Sequence, residues 1–323
     1  MLLQAFTSIY KQERNDMGAK LIDLDSYPVE IALNILLQDK TTRKNIIFAT
    51  DIYNSYSIDA KTRVTEKTLQ IISLQPRVEK SIEEKAERTK KKAEVFTPSW
   101  IVNQMNNFCD EDWFGRKAIF NTENEDHTWT TSEEKIQFPE GQSWQDYVKL
   151  RRLEITCGEA PFVVSRYDPA TGEEIPVKDR VGFLDRKLRV VSENTETEEE
   201  WLKWSTKALQ SSYGYEYQGD NLIIARINVL DSLCEYRDQK FGGNTDKKQI
   251  HEWAKIIAWN FWQMDGFTGC VPFGKIRDPE QLGFGFFGED TGLEEDDQPD
   301  EECKIRDWRG GKSLTYNSMK EGM

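Results

Sequence analysis

Apolar positions along the chain switch between helical and extended spacing. PVEIALNILLQ, from Pro28, has the three-four spacing of a helix, and NIIFAT, from Asn45, is a short apolar run that predicts a buried strand. Residues 77–92 are rich in charge and read as a solvent-exposed linker or helix. Thr97 is the expected N-cap of the next helix, with Pro98 in its first turn. Ile101, Met105 and Phe108 follow at helical spacing and predict one apolar face. Residues 121–141 are polar and irregular. RRLEIT, from Arg151, predicts a strand that ends in the turn Cys157-Gly158. A hairpin is expected around Pro169-Ala170-Thr171-Gly172, then helices near residues 182–191 and 198–210. SSYGYEYQ predicts a second strand. Residues 221–236 predict a helix with Leu222, Ala225, Val229 and Leu233 on one side, and KKQIHEWAKIIAWNFWQMDG a further aromatic-rich helix. CKIRDWRGGKSLTY predicts a closing strand or hairpin. Strand, glycine turn, helices, strand and helix in that order point to an α/β layer with parallel strands.

Composition narrows the function classes. The net charge is -14 over 323 residues, which argues against a protein that simply coats nucleic acid. Much of the acid is concentrated: residues 289–302 hold nine acidic side chains and no basic one, and read as a mobile loop. The five cysteines are scattered, with no Cys-x-x-Cys, and there are only two histidines. No metal site, disulfide framework or Ser-His-Asp arrangement is therefore expected. No apolar run approaches membrane length, and the amino terminus lacks the signature of a signal peptide. A cytoplasmic protein with no membrane partner is the expectation.

Three stretches carry the candidate chemistry: EVFTP from Glu94, LEITCGEAPF from Leu153, and GYEYQGDNLIIARINVL from Gly214. Together and in this order they resemble the N6-adenine DNA methyltransferases of restriction-modification systems, including the proteins described as restriction endonuclease subunit M. EVFTP is similar to that family's Phe-Thr-Pro motif. LEITCGEAPF is similar to Asp-Pro-x-Cys-Gly-x-Gly-x-Phe, and the third stretch to the second core strand and helix, whose strand-end acid holds the cofactor ribose. The likeness covers roughly residues 90–230. It implies a Rossmann-like methyltransferase fold with a helical amino-terminal part and insertions, S-adenosylmethionine as cofactor, and DNA as substrate. The cofactor-binding residues it implies are Phe96, Thr97, Pro98, Glu154, Cys157, Gly158, Phe162 and Glu216. On this reading residues 1–89 form an amino-terminal region. Residues 90–270 form the core, with an insertion near 163–210, and residues 271–323 a carboxyl-terminal extension.

The residue chemistry fits such a cofactor. Ligands of open α/β sheets sit beyond the carboxyl ends of the strands, where a tight turn exposes backbone amides, and Gly158 permits such a turn. Glu159 within this loop would repel a pyrophosphate but not a sulfonium cation. Glu216 can accept hydrogen bonds from two ribose hydroxyls, while Phe96 and Phe162 can line an adenine pocket. The sequence also departs from the family pattern. Glu154 stands for the motif's Asp, Ile155 for its Pro and Ala160 for its second Gly, and the interval from Glu154 to Glu216 exceeds one crossover helix. The family's catalytic (Asn/Asp/Ser)-Pro-Pro-aromatic motif has no counterpart, since no Pro-Pro occurs. The nearest substitute for its amino-group acceptor and base-stacking ring is Asn260, Phe261 and Trp262. Pro272 and Phe273 in CVPFG are a second candidate. Two functions follow: an adenine-N6 DNA methyltransferase of a restriction-modification or phage-related system, or a catalytically inactive methyltransferase-like subunit of a defence or counter-defence complex. A restriction or specificity subunit is the expected partner, and a protein that imitates DNA is a third possibility. DWRGGK, from Asp307, suits either a phosphate-contacting loop or a surface turn with Trp308 folded onto the core.

Overall fold

Local signals place most elements of the chain, and tertiary packing decides which way they face. The computed structural model describes residues 20–92, 97–275 and 302–320. It opens with α1 (Val29–Leu36). The NIIFAT stretch is not a sheet strand. It is a buried extended crossing, with single bridges from Asn45 to Gln38 and from Ile47 to Arg63, and with Ile46 and Phe48 in the core. α2 (Glu66–Ile71) starts at a capping box of Thr65 and Thr68. α3 (Ile82–Lys92) occupies the charge-rich stretch, and Glu83 and Glu84 in its first turn complement the helix dipole.

α4 (Ser99–Phe114) inverts the expected amphipathicity. Met105 and Phe108 are exposed, while Asn103, Asn106 and Asp110 are buried. The inward face is polar because it meets polar neighbours: Asn106 Nδ2 donates to the carbonyls of Phe162 and Val181, and Asp110 receives Arg186 and Arg152. Nor does Thr97 cap this helix. Pro98 occupies the cap position without a side-chain bond, and Asp168 accepts from the Ser99 amide at 2.7 Å instead.

A small hairpin of β1 (Asn121–Glu123) and β2 (Trp129–Thr131) precedes α5 (Trp144–Val148) and β3 (Arg152–Glu154). The expected excursion follows, bridged between Tyr167 and Glu174. Next come α6 (Phe183–Asn194), α7 (Glu198–Gln210), β4 (Ser212–Glu216), α8 (Gly219–Phe241), α9 (Lys247–Asn260) and β5 (Phe261–Gln263). The long interval between Glu154 and Glu216 thus holds the excursion and two helices. The chain closes with β6 (Lys304–Asp307), β7 (Lys312–Thr315) and α10 (Tyr316–Lys320), the two strands pairing as the expected hairpin.

β3, β4 and β5 form a parallel sheet in that order, each pair joined through helices as parallel pairing requires. The architecture is therefore mixed α/β. α8 is buried on nearly all sides rather than along one stripe, because it lies against α1, α9 and the sheet. Arg226 in this helix is fully buried and donates to the carbonyls of Leu36, Gln38 and Phe261, joining the end of α1 to β5. One hydrophobic cluster runs from Ile22 to Phe261. A smaller one gathers Tyr215, Trp262, Met264, Cys303 and Ile305. No helix among the described residues is long and apolar enough to cross a membrane.

Candidate functional site

The carboxyl ends of the three parallel strands present Glu154, Glu216 and Gln263. Register puts Glu154 opposite Gly214 and Glu216 opposite Gln263. After β3 the chain bends through three left-handed residues, Thr156 at φ 48°, Gly158 at 54° and Ala160 at 65°. Ala160 carries the strain that glycine would avoid at this position. The turn is tied back to the sheet by the Cys157 amide, which donates to the Tyr215 carbonyl at 2.8 Å.

Glu216 is the hub. Its carboxylate accepts from the Gly158 amide at 2.9 Å and the Gln218 amide at 3.0 Å, so it links the β3 turn to the start of α8. The side chain is buried. Burial raises its pKa, and the amides of Gln218, Gly158 and Tyr217 only partly offset this, leaving it at about 7. Glu154 beside it is likewise pushed up, by burial first and by Glu216 in addition, against the amides of Phe162 and Val163. Its Oε2 is out of contact with solvent and has no hydrogen-bond partner among the described residues. A buried acceptor of this kind is costly unless a donor reaches it. Burial and the two glutamates also push the Cys157 thiol up, so Cys157 is a packing residue and not a nucleophile.

A pH dependence follows from Glu216. Its folded pKa of about 7 lies above the ordinary 4.5, so folding favours the protonated form. Its contribution is fully present below the unfolded value and lost as pH rises through the folded one. Glu216→Gln is expected to flatten the decline in stability between pH 4.5 and 7, read as urea midpoints across that range.

Gln263 and Asp220 escape the sequence reading because their role depends on distant partners. Gln263 acts as a surrogate strand partner for Ile47: its Oε1 accepts from the Ile47 amide at 2.9 Å and its Nε2 donates to the Ile47 carbonyl at 2.7 Å. This crossing runs over the first residue of α8, where a Cβ on Gly219 would lie 2.0 Å from the Ile47 carbonyl oxygen. Only glycine fits there. Asp220, fully buried, accepts from Tyr53 at 2.7 Å and from Arg88, with Lys80 at 3.8 Å. Glu159 also turns inward rather than toward a ligand. It accepts from the Arg77 amide at 2.7 Å and from Tyr167 at 2.8 Å. Residues 77–92 are therefore strapped across the carboxyl edge of the sheet through Glu159 and Asp220. The sequence signal for this was the acid directly after the strand-end turn, Gly219-Asp220.

The remaining expected residues fall out as follows. Thr97 and Pro98 are half-buried at the start of α4. Phe162 is half-buried too, and its carbonyl accepts from the Phe183 amide at 2.8 Å. Phe96 lies outside the described residues. The trio expected to face a base is corrected by its packing. Asn260 ends α9 and is fully buried. Its Nδ2 donates to the carbonyls of Leu209 and Ser212, and its Oδ1 accepts from Trp308 Nε1 at 2.7 Å. Phe261 and Trp262 belong to β5 and to the two hydrophobic clusters. These three residues therefore hold the sheet together. Asn260→Ala is expected to lower stability by about 1–3 kcal/mol through the groups it strands, measurable by urea unfolding.

Among the described residues no group of three or more His, Cys, Asp or Glu side chains is placed to hold a metal ion. Comparison with protein-family models, with curated proteins and with solved structures finds no match.

Proposed function

We propose that the chain is a methyltransferase-like binding subunit, which takes S-adenosylmethionine at the carboxyl edge of its sheet and does not itself transfer the methyl group. The observation that carries this reading is the placement of Glu154 and Glu216 at the carboxyl ends of adjacent parallel strands, with Gly158, whose amide donates to Glu216, in the turn after the first. Carboxylates suit the ribose hydroxyls and the sulfonium charge of that ligand and disfavour a phosphate-bearing one. The unpartnered Oε2 of Glu154 supplies an acceptor for a ligand hydroxyl or ammonium. The absence of transfer chemistry in the proposal rests on Asn260, Phe261 and Trp262, whose polar groups and rings are spent on the core. Such a subunit would work in the cytoplasm beside DNA and a restriction or specificity subunit.

The test is calorimetric titration of the intact protein and of Glu216→Ala with S-adenosylmethionine, followed by incubation with labelled cofactor and DNA. Micromolar binding by the intact protein, weakened at least about tenfold in the variant by loss of a buried hydrogen-bonding carboxyl group, together with unlabelled DNA, is the expected outcome. No heat from the intact protein would sink the ligand assignment. Label in adenine would replace the binding-subunit reading with an adenine-N6 DNA methyltransferase.

A further inference from the structure

The end of the sheet opposite Glu154 and Glu216 carries a second feature. A half-open cavity of about 340 Å³ is lined by Lys149, Arg151, Lys207 and Arg309 and walled by Tyr213 and Trp308. Its residues come from four places: the approach to β3, the end of α7, the start of β4, and the turn between β6 and β7. The volume falls in the range of small-ligand sites.

The charge in this cavity is anomalous for a protein of net charge -14. Four cations line it, and the sole acid among its lining residues, Asp307, is already engaged. Asp307 accepts from Arg151 at 3.0 Å and from the amides of Arg309 and Gly310, both at 3.1 Å. The side chains of Lys149 and Arg151 remain 43% and 45% exposed, Lys149 pairing at the rim with Asp146 at 3.6 Å and Arg151 with Asp307, while Lys207 and Arg309 have no acid partner among the described residues. Like charges gathered around a concave surface repel one another and focus a positive potential into it. An anion that enters relieves that repulsion.

The surrounding contacts hold the cavity in shape. Arg309 donates to the Lys149 carbonyl at 2.8 Å, and Tyr213 donates to the Arg306 carbonyl at 3.3 Å. Trp308 is fixed by its bond to Asn260. Beneath the floor, Lys187 Nζ donates to the Leu150 carbonyl at 2.6 Å and to the Ser211 carbonyl at 3.2 Å. Those carbonyls, which would otherwise oppose an anion, are thereby occupied. Cations beside aromatic walls are the pairing that phosphate plus a flat base requires.

We infer that this cavity is a binding site for a nucleotide unit, with its phosphate among Arg151, Lys207 and Arg309 and its base against Tyr213 and Trp308. The ligand is either a free nucleotide or one unit of a single strand. The inference does not rest on the proposed function, because Glu154 and Glu216 lie at the other end of the strands.

The experiment titrates the intact chain, by tryptophan fluorescence and calorimetry, with a 5′-mononucleotide, inorganic phosphate and a short single-stranded oligonucleotide. Lys207→Glu and Arg309→Glu are the test variants. Lys248→Glu is the equal-charge control, about 18 Å along α9 from Asn260 at the helical rise per residue. Each test variant is expected to weaken nucleotide binding at least about tenfold, as loss of a charge-assisted phosphate bond does, while the control stays within about twofold, as a distant screened charge should. A mononucleotide that binds as well as the oligonucleotide identifies the free ligand. An oligonucleotide that binds far more tightly, with steep salt dependence, identifies the strand. Absence of binding by both, equal losses in all three variants, or phosphate binding as tightly as nucleotide would overturn the inference.

Discussion

Asp220→Ala is expected to destabilise the fold by about 3–5 kcal/mol, the range for removing one partner of a buried ion pair. Asp220 has no solvent exposure, and around it stand Arg88 at 1% and Lys80 at 5%. Deleting the carboxylate removes the counter-charge that two buried cations share and an acceptor of the Tyr53 hydroxyl. Burial alone would raise the Asp220 pKa. The charges of Arg88 and Lys80 reverse that, aided by hydrogen bonds from Tyr53 and Arg88, and hold the carboxyl well below the usual range. The sign is thus opposite to that of Glu216. A depressed pKa gives stability that is present above the unfolded value and lost as pH falls through the folded one. The wild type should weaken in acid, and Asp220→Ala should show less of that loss. Urea unfolding across acid pH reads the stability. Hydrogen exchange adds a local readout, since residues 77–92 are strapped down through this carboxylate and should lose protection first. Unchanged exchange there would show that the strap is held elsewhere.

Asp110→Ala is the second large effect, again about 3–5 kcal/mol for an orphaned buried charge. Asp110 receives Arg186 at 2.6 Å, Tyr147 at 2.9 Å, and Arg152. It therefore joins α4 to α6, α5 and β3. Arg186 keeps its bonds to Asn103 and Asn107 and its place over Phe120, so the loss is one of charge balance rather than of all contacts. Replacing Asp110 and Arg186 together with Leu and Met should recover part of the deficit, because two matched apolar groups leave one fewer buried charge uncompensated. A double-mutant cycle in urea checks this. A double variant as unstable as the sum of the single ones would refute the coupling.

These two acids show where sequence pattern stops being informative. Helical spacing located α4, yet the apolar residues Met105 and Phe108 face solvent and Asn103, Asn106 and Asp110 face inward. Spacing reports a face but not its direction. Here arginines from α6 and β3 made the polar side the buried one. β5 went unseen for a related reason. Phe261, Trp262 and Gln263 continue the apolar run of α9 without a break in composition, so the switch from helix to strand shows only in their pairing with β4. The same merger made Asn260 resemble a catalytic acceptor, although its amide is consumed by Leu209, Ser212 and Trp308. The cavity at Trp308 was half-legible. DWRGGK marked one wall, but Lys149, Arg151 and Lys207 join it only through the sheet and α7.

By itself the sequence determined the features that depend on neighbours along the chain. These are helices α6 and α7, the Cys157-Gly158 turn after a strand, the hairpin around Gly172 and the final antiparallel pair. Caps, turns and hydrophobic period act over a few residues, and their physics is written locally. Tertiary structure alone decided the order of the three parallel strands, the inward turn of Glu159, the clasp of Gln263 on Ile47 and the burial of Asp110 and Asp220 beside their arginines. Each of these depends on groups up to 216 positions apart, and a charge is stable in the interior only when the fold brings its counter-charge to it.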